Sequence, residues 1–150
     1  MKITIQDCPD GEEEEIIIRC RKMDEQMLKI IYALKAGREK LTVSKADKLF
    51  MVPPAEIYYF EVVDNRVFAY MDREVYETKQ KLYELEERFA NTDFFRASKS
   101  TIINLVNVKN LSPSFGGRFE ACMKNGERLQ ISRQYVPELK RKLGLKGQEE

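Results

Sequence analysis

The side chains available for chemistry in this 150-residue chain are 26 lysines and arginines, 25 carboxylates, three thiols and no histidine. That inventory disfavours catalysis. Without an imidazole there is no histidine base. The chain also lacks a nucleophile elbow, a phosphate-cradling glycine loop and a convincing carboxylate pair. Metal chemistry fares no better. Cys8, Cys20 and Cys122 are odd in number and widely spaced, whereas a zinc site needs at least three converging ligands. We expect no enzyme activity, no metal and no cofactor. Cys20 and Cys122 lie in strand-like stretches and read as small core residues.

The cations carry more information, because they are unevenly placed. Residues 1–94 hold 15 basic and 20 acidic side chains, a net charge of −5, whereas residues 95–147 hold 11 basic and three acidic ones, a net charge of +8. A basic third on an acidic remainder suits a polyanion partner, although charge sign alone defines no site.

Several elements must position those cations. Met1–Gln6 alternates apolar and polar residues, Asp10-Gly11 marks a turn, and Glu12–Glu15 leads into Ile16–Cys20, which gives strand, strand. A helix follows from an Asp24 cap, with Met27, Ile30, Ile31 and Leu34 on one face and a stop at Gly37. That face suits packing on its own sheet or a dimer contact. From Leu41 to Tyr76 short strands alternate with turns, including Asp64-Asn65, whose residues tolerate left-handed backbone. Thr78 can cap a helix bearing Leu82, Leu85 and Phe89, with Glu84 and Arg88 spaced for an ion pair. Two hairpins then follow, at Gly116-Gly117 and at Asn125-Gly126, the latter suggesting a type I′ turn. A short basic helix, anchored by Val136, Leu139 and Leu143, ends the chain and presents Lys140, Arg141 and Lys142 as a solvated face. Tyr58, Tyr59 and Phe60 read as core and strand pairs, and Asn104 as a buried turn amide.

Phe94-Phe95-Arg96-Ala97-Ser98-Lys99-Ser100-Thr101-Ile102-Ile103-Asn104 resembles the signature of LytTR-type DNA-binding domains. A second signature, a glycine hairpin and strand followed by Ser-Arg and a basic helix, is matched by residues 125–135, and an earlier aromatic strand ending in Glu by Ile57–Glu61. Order and spacing are kept over residues 45–145. The resemblance implies a mostly β fold with short helices (α+β): antiparallel hairpin sheets over residues 41–147, preceded by a small N-terminal ββα segment over residues 1–40 and followed by a tail at 148–150. It also implies a bacterial transcription regulator that grips double-stranded DNA with loops at one end of its sheet.

Carried over residue by residue, the resemblance points to the turn at Asn65 and Arg66, to Lys99 before the signature serine, and to Arg133 of the Ser-Arg pair as the main base reader. Many family members carry His where this chain has Ser98, which bears on a phosphate contact or on target preference. The side-chain chemistry agrees. Arg133 can donate two hydrogen bonds to one guanine edge. Lys99 and Arg66 can do so less rigidly or meet phosphates, and Ser98, Ser100, Ser132 and Gln134 are short donors suited to phosphate oxygens.

A homodimer assembled through residues 1–40 fits the paired sites usual in the family. The rival reading is a sensory or protein-interaction module whose basic C-terminal face meets an acidic partner. No apolar run approaches the roughly 20 residues that span a bilayer, and Met1–Asp7 lacks the apolar core of a signal peptide, so a cytoplasmic chain without membrane insertion is expected.

Overall fold

The computed structural model describes residues 1–145, with residues 36–38 described by their backbone alone. Among the described residues, ten strands form two antiparallel sheets. The first strands are β1 (Leu41–Lys45), β2 (Lys48–Val52), β3 (Tyr59–Val63), β4 (Arg66–Tyr70) and β5 (Val75–Thr78). After helix α2 (Leu82–Arg88) come β6 (Phe94–Arg96), β7 (Thr101–Asn104), β8 (Val108–Pro113), β9 (Phe119–Met123) and β10 (Arg128–Ile131), then helix α3 (Val136–Lys142). The larger sheet runs β2-β1-β5-β4-β3-β7-β6 and the smaller β10-β9-β8.

Local sequence explains the tight turns. Ala46-Asp47 and Asp64-Asn65 each have positive φ at both residues, the geometry whose twist matches a two-residue hairpin. Asn125-Gly126 is different. Only Gly126 has positive φ, its N–H donates to the Met123 carbonyl and the Met123 N–H donates to the Glu127 carbonyl. The extra residue makes a three-residue loop with a glycine in the left-handed position, so the expected type I′ turn is not formed.

Strands β3, β6 and β7 are apolar at consecutive positions because both faces of the large sheet are covered there. Phe60, Phe94 and Ile102 point into one core with Leu82, Leu85 and Phe89 of the α2 segment. Their neighbours Tyr59, Phe95 and Ile103 point the other way, against Ala121, Met123, Ile131 and Leu139 of the small sheet and α3. The side-chain period of two thus splits each aromatic or isoleucine pair between two cores. The Tyr59 ring stacks on Tyr70 at 4.3 Å, and its hydroxyl donates to Glu127 at 2.8 Å. The Asn125 side chain donates to the Asp72 carbonyl at 3.0 Å. Both bonds fasten the β9–β10 turn to the large sheet. Burial, and then the hydrogen bond to Glu127, hold the Tyr59 phenol well above its usual pKa.

Asn104 is a buried turn amide, as its sequence context suggests. Its Nδ2 donates to the carbonyls of Pro54 and Ile57, and its Oδ1 accepts from the Val106 N–H. Asn107 adds bonds to the Ala55 and Ile57 carbonyls, so the segment between β2 and β3 is pinned by two amides.

The N-terminal segment departs from expectation. Helix α1 (Glu25–Arg38) forms, with the Asp24 carboxylate accepting from the Met27 N–H, but it runs one residue past Gly37. No strand forms before it: Met1–Gln6 and Ile16–Cys20 pair with nothing among the described residues, and Ile3, Ile5, Ile16 and Ile17 stand exposed. Strand-type sequence without an adjoining edge leaves its backbone to water. Cys20 is therefore exposed rather than core, and Cys122 sits half-buried on the outward side of β9. Thr78 ends β5 and does not cap α2. That role falls to Glu84, which accepts from the Lys81 N–H, while Arg88 reaches the Lys40 carbonyl instead of Glu84. Leu143 lies beyond the end of α3 and is exposed, so Val136 and Leu139 anchor that helix.

Candidate nucleic-acid interface

Strand pairing gathers the sequence-predicted site residues at one end of the molecule. In β3 and β4, Val63 pairs with Arg66 across the Asp64-Asn65 turn. The loop between β6 and β7 holds Ser98, Lys99 and Ser100, and the Ser100 carbonyl accepts from the Val62 N–H at 2.9 Å, beside that turn. The segment after β10 holds Ser132, Arg133 and Gln134, and the Ser132 N–H donates to the Ala97 carbonyl at 2.8 Å. A fourth loop joins them. Residues 114–118 connect β8 to β9, and Phe119 pairs with both Pro113 and Ile131, which places this loop beside the Ser132–Gln134 segment.

Arg96 builds the β6–β7 loop from below. Its Nε donates to the Ser98 carbonyl and its Nη2 to the Lys99 carbonyl, both at 2.7 Å, while Nη1 pairs with Glu86 at 2.7 Å. One planar guanidinium thus holds two successive carbonyls in a fixed fork, a geometry that a lysine ammonium does not share. Ser98 Oγ accepts from the Ser100 N–H at 3.2 Å and tightens the same loop. The backbone is held, and the Lys99 side chain is left exposed with no carboxylate partner among the described residues. Arg96 stands in the signature, but the signature alone does not give it this role. The signal available was its place two residues before a polar loop that needs its carbonyls satisfied.

Arg133 is seated on glycine. A Cβ at Gly117 would lie 2.9 Å from Arg133 Cδ and 3.2 Å from Cγ, so the arginine stem runs over bare backbone. Gly117 also has φ +78°, which a side chain rarely adopts. Arg133 is exposed and, like Lys99, has no carboxylate partner among the described residues. Gln134 is exposed beside it and Ser132 half-buried.

Arg66 sits differently. Its Nε and Nη2 donate to the two carboxylate oxygens of Glu77, at 3.0 and 2.6 Å, a two-pronged pair across β4 and β5. The pair raises the Arg66 pKa and lowers that of Glu77, chiefly through the hydrogen bonds. Arg66 remains exposed with Nη1 outside the pair, and Asn65 at the turn tip is exposed without such a tether. Lys142 also departs from the expected solvated face. It is half-buried, donates to the Thr92 carbonyl, and desolvation lowers its pKa. Arg141 pairs with Glu138, and the Lys140 ammonium lies 6.0 Å from the centre of the Phe119 ring.

Among the described residues, this end of the molecule presents Lys99 and Arg133 unpaired on rigid seats, Arg118 exposed on the fourth loop, the tethered Arg66 and several hydroxyl and amide donors. Such an array can neutralise phosphates and hydrogen-bond base edges. Among the described residues no group of His, Cys, Asp and Glu could hold a metal ion, and no helix is long and apolar enough to cross a membrane.

Comparison with known proteins bears on this geometry. Residues 47–144 match the model of the LytTr DNA-binding domain. The chain is 28% identical over 138 residues to the sensory transduction protein LytT of Enterococcus faecalis, covering 89% of this chain and 57% of that protein. It therefore spans little more than half of that relative. An uncharacterized HTH-type transcriptional regulator of Staphylococcus aureus is 26% identical over 147 residues, 97% of this chain and 99% of its own length. Here strands separate α1, α2 and α3, so among the described residues no two α-helices are consecutive. Among solved structures, the LytTr DNA-binding domain of a methyl-accepting/DNA response regulator from Bacillus cereus superposes with a TM-score of 0.68 at 27% identity, covering 73% of this chain and all of that one.

Proposed function

The chain belongs to the LytTr DNA-binding domain family, and we propose that it is a transcription regulator that binds double-stranded DNA sequence-specifically through the loops at this end of its sheets. The observation that carries the reading is the convergence of Lys99 and Arg133, on adjoining loops and free of carboxylate partners among the described residues, with the Asn65-Arg66 turn. Arg133 reads a guanine edge. Lys99 and Arg66 meet phosphates or bases, Asn65 meets a base edge, and Ser98, Ser100, Ser132 and Gln134 meet phosphates that set register.

In this reading residues 41–147 form the DNA-binding unit, residues 1–40 a separate extension, and residues 148–150 a tail outside the described part. The protein works in the cytoplasm and catalyses no reaction. The extension supplies a homodimer contact, because Met23, Leu28 and Tyr32 on and beside α1 and Ile16 and Ile17 before it expose apolar surface with no cover. Sedimentation should show a dimer that removal of residues 1–40 dissociates, and an unchanged oligomer after the deletion would refute this assembly.

The DNA reading is tested by fluorescence anisotropy on duplex at several salt concentrations. Log affinity should fall linearly with log salt, by about 0.9 for each phosphate neutralised. A salt-independent or absent interaction with duplex would overturn it.

A further inference from the structure

The loop between β8 and β9 carries a side chain that the fold does not use. Phe115 is 89% exposed and belongs to neither hydrophobic core. Its loop is shaped without it: Gly116 and Gly117 supply φ of +76° and +78°, and the Ser114 N–H closes the loop on the Arg118 carbonyl at 2.8 Å. Two glycines in the left-handed region turn the chain immediately after Phe115 and leave the phenyl ring at the loop tip. Water around a free phenyl ring is costly, and burying one gives a large apolar gain.

Its neighbours say what could cover it. Arg118 follows three residues later and is exposed, and the stem of Arg133 lies on Gly117. An apolar tip on a loop that carries Arg118 and seats Arg133 matches a surface that is anionic at its rim and apolar within. A duplex groove has that arrangement: phosphates at the edges, with thymine methyls and deoxyribose carbons inside.

We propose that Phe115 is a DNA-contacting residue that buries its ring on apolar groups of the duplex next to the base pair met by Arg133. The proposal rests on the DNA reading above and adds to it an apolar contact that composition and charge do not announce. The contact strengthens binding without neutralising a phosphate, so its salt signature differs from that of Lys99 or Arg118.

The test compares the full chain with Phe115→Ala, Phe115→Leu and Arg133→Ala, by anisotropy on a duplex selected for tight binding. Phe115→Ala should weaken binding about tenfold, equivalent to about 1.4 kcal/mol, with an unchanged salt slope and unchanged Tm. Phe115→Leu should recover part of the loss. Replacing each thymine by deoxyuridine in turn locates the contact. Where the ring meets a methyl, one position weakens the wild type and leaves Phe115→Ala unaffected. Where it meets deoxyribose, no position shows that coupling although Phe115→Ala still binds weakly. If Phe115→Ala binds as tightly as the wild type while Arg133→Ala does not, the proposal fails and the DNA reading stands. If the wild type binds no duplex, both fail.

Discussion

Gly117→Ala isolates the seat of Arg133 from the strain of the loop that carries it. Gly116 and Gly117 have nearly equal φ, +76° and +78°, so alanine pays a similar backbone cost at either. That cost is about 1 kcal/mol for an L-residue held in the left-handed region, or a Tm decrease of about 2–4 °C in a chain of this size. The surroundings differ. A Cβ at Gly116 meets nothing within 4 Å, whereas one at Gly117 lies 2.9 Å from Arg133 Cδ. Carbon atoms sit comfortably at about 3.5–4.0 Å, so the arginine stem must move by more than half an ångström. A flexible stem moves cheaply, and the two variants should be equally stable. A displaced guanidinium, however, loses its alignment with a base edge, a contact worth about 1–3 kcal/mol. Anisotropy on a preferred duplex should therefore show Gly116→Ala near wild type and Gly117→Ala weaker by about tenfold, never weaker than Arg133→Ala. In an Arg133→Ala background, Gly117→Ala should have no further effect. Equal losses at both glycines, or a loss that persists without Arg133, would refute the reasoning.

Three other perturbations follow from the same geometry. Arg96→Met removes the guanidinium that holds the Ser98 and Lys99 carbonyls; duplex affinity should fall although Arg96 itself is turned inward, amide exchange over residues 98–100 should quicken, and Arg96→Lys should restore little because it lacks the planar fork. Lys99→Ala should lower affinity and reduce the salt slope by up to about 0.9, the loss of one neutralised phosphate, and an unchanged slope would assign Lys99 to a base. Glu77→Gln releases Arg66 and should raise affinity, steepening the slope by up to about 0.9 if Arg66 then takes a phosphate. Because Arg66 lowers the Glu77 pKa, the pair's contribution to stability is complete above the unfolded carboxylate value and fades as pH drops through the lower folded one. The thermal-stability gap between wild type and Glu77→Gln should therefore be full above that unfolded value and shrink as pH falls below it.

Much of the frame is written locally. Asp64-Asn65, Gly116-Gly117, the Asp24 cap and the doubled apolar pairs at 59–60, 94–95 and 102–103 each declare their structure within a few residues. What was not legible depends on partners distant in sequence. Arg66 finds Glu77 only once β4 and β5 are in register, so a turn residue expected to meet DNA is tethered to a carboxylate. Lys142 bonds to the Thr92 carbonyl fifty residues away, so a face that looks solvated by spacing is partly buried. Ile16–Cys20 has the composition of a strand and no edge to join. Asn125-Gly126 has the hairpin dipeptide but one residue too many between the paired strands, so Asn125 keeps negative φ. In the proposed interface, the motifs point to Lys99 and Arg133, whereas Arg96 and Gly117, which hold their surroundings, act through contacts that spacing does not reveal.

The central claim is that this end of the molecule reads DNA sequence and does not merely attract a polyanion. Selection of bound sequences from random duplex at a stated salt concentration, run with wild type and with Arg133→Ala, tests it directly. The account predicts an enriched motif containing a guanine for the wild type, and loss of preference at that guanine for Arg133→Ala with the fold intact. A wild-type pool that stays random, or an identical motif from both proteins, would contradict it.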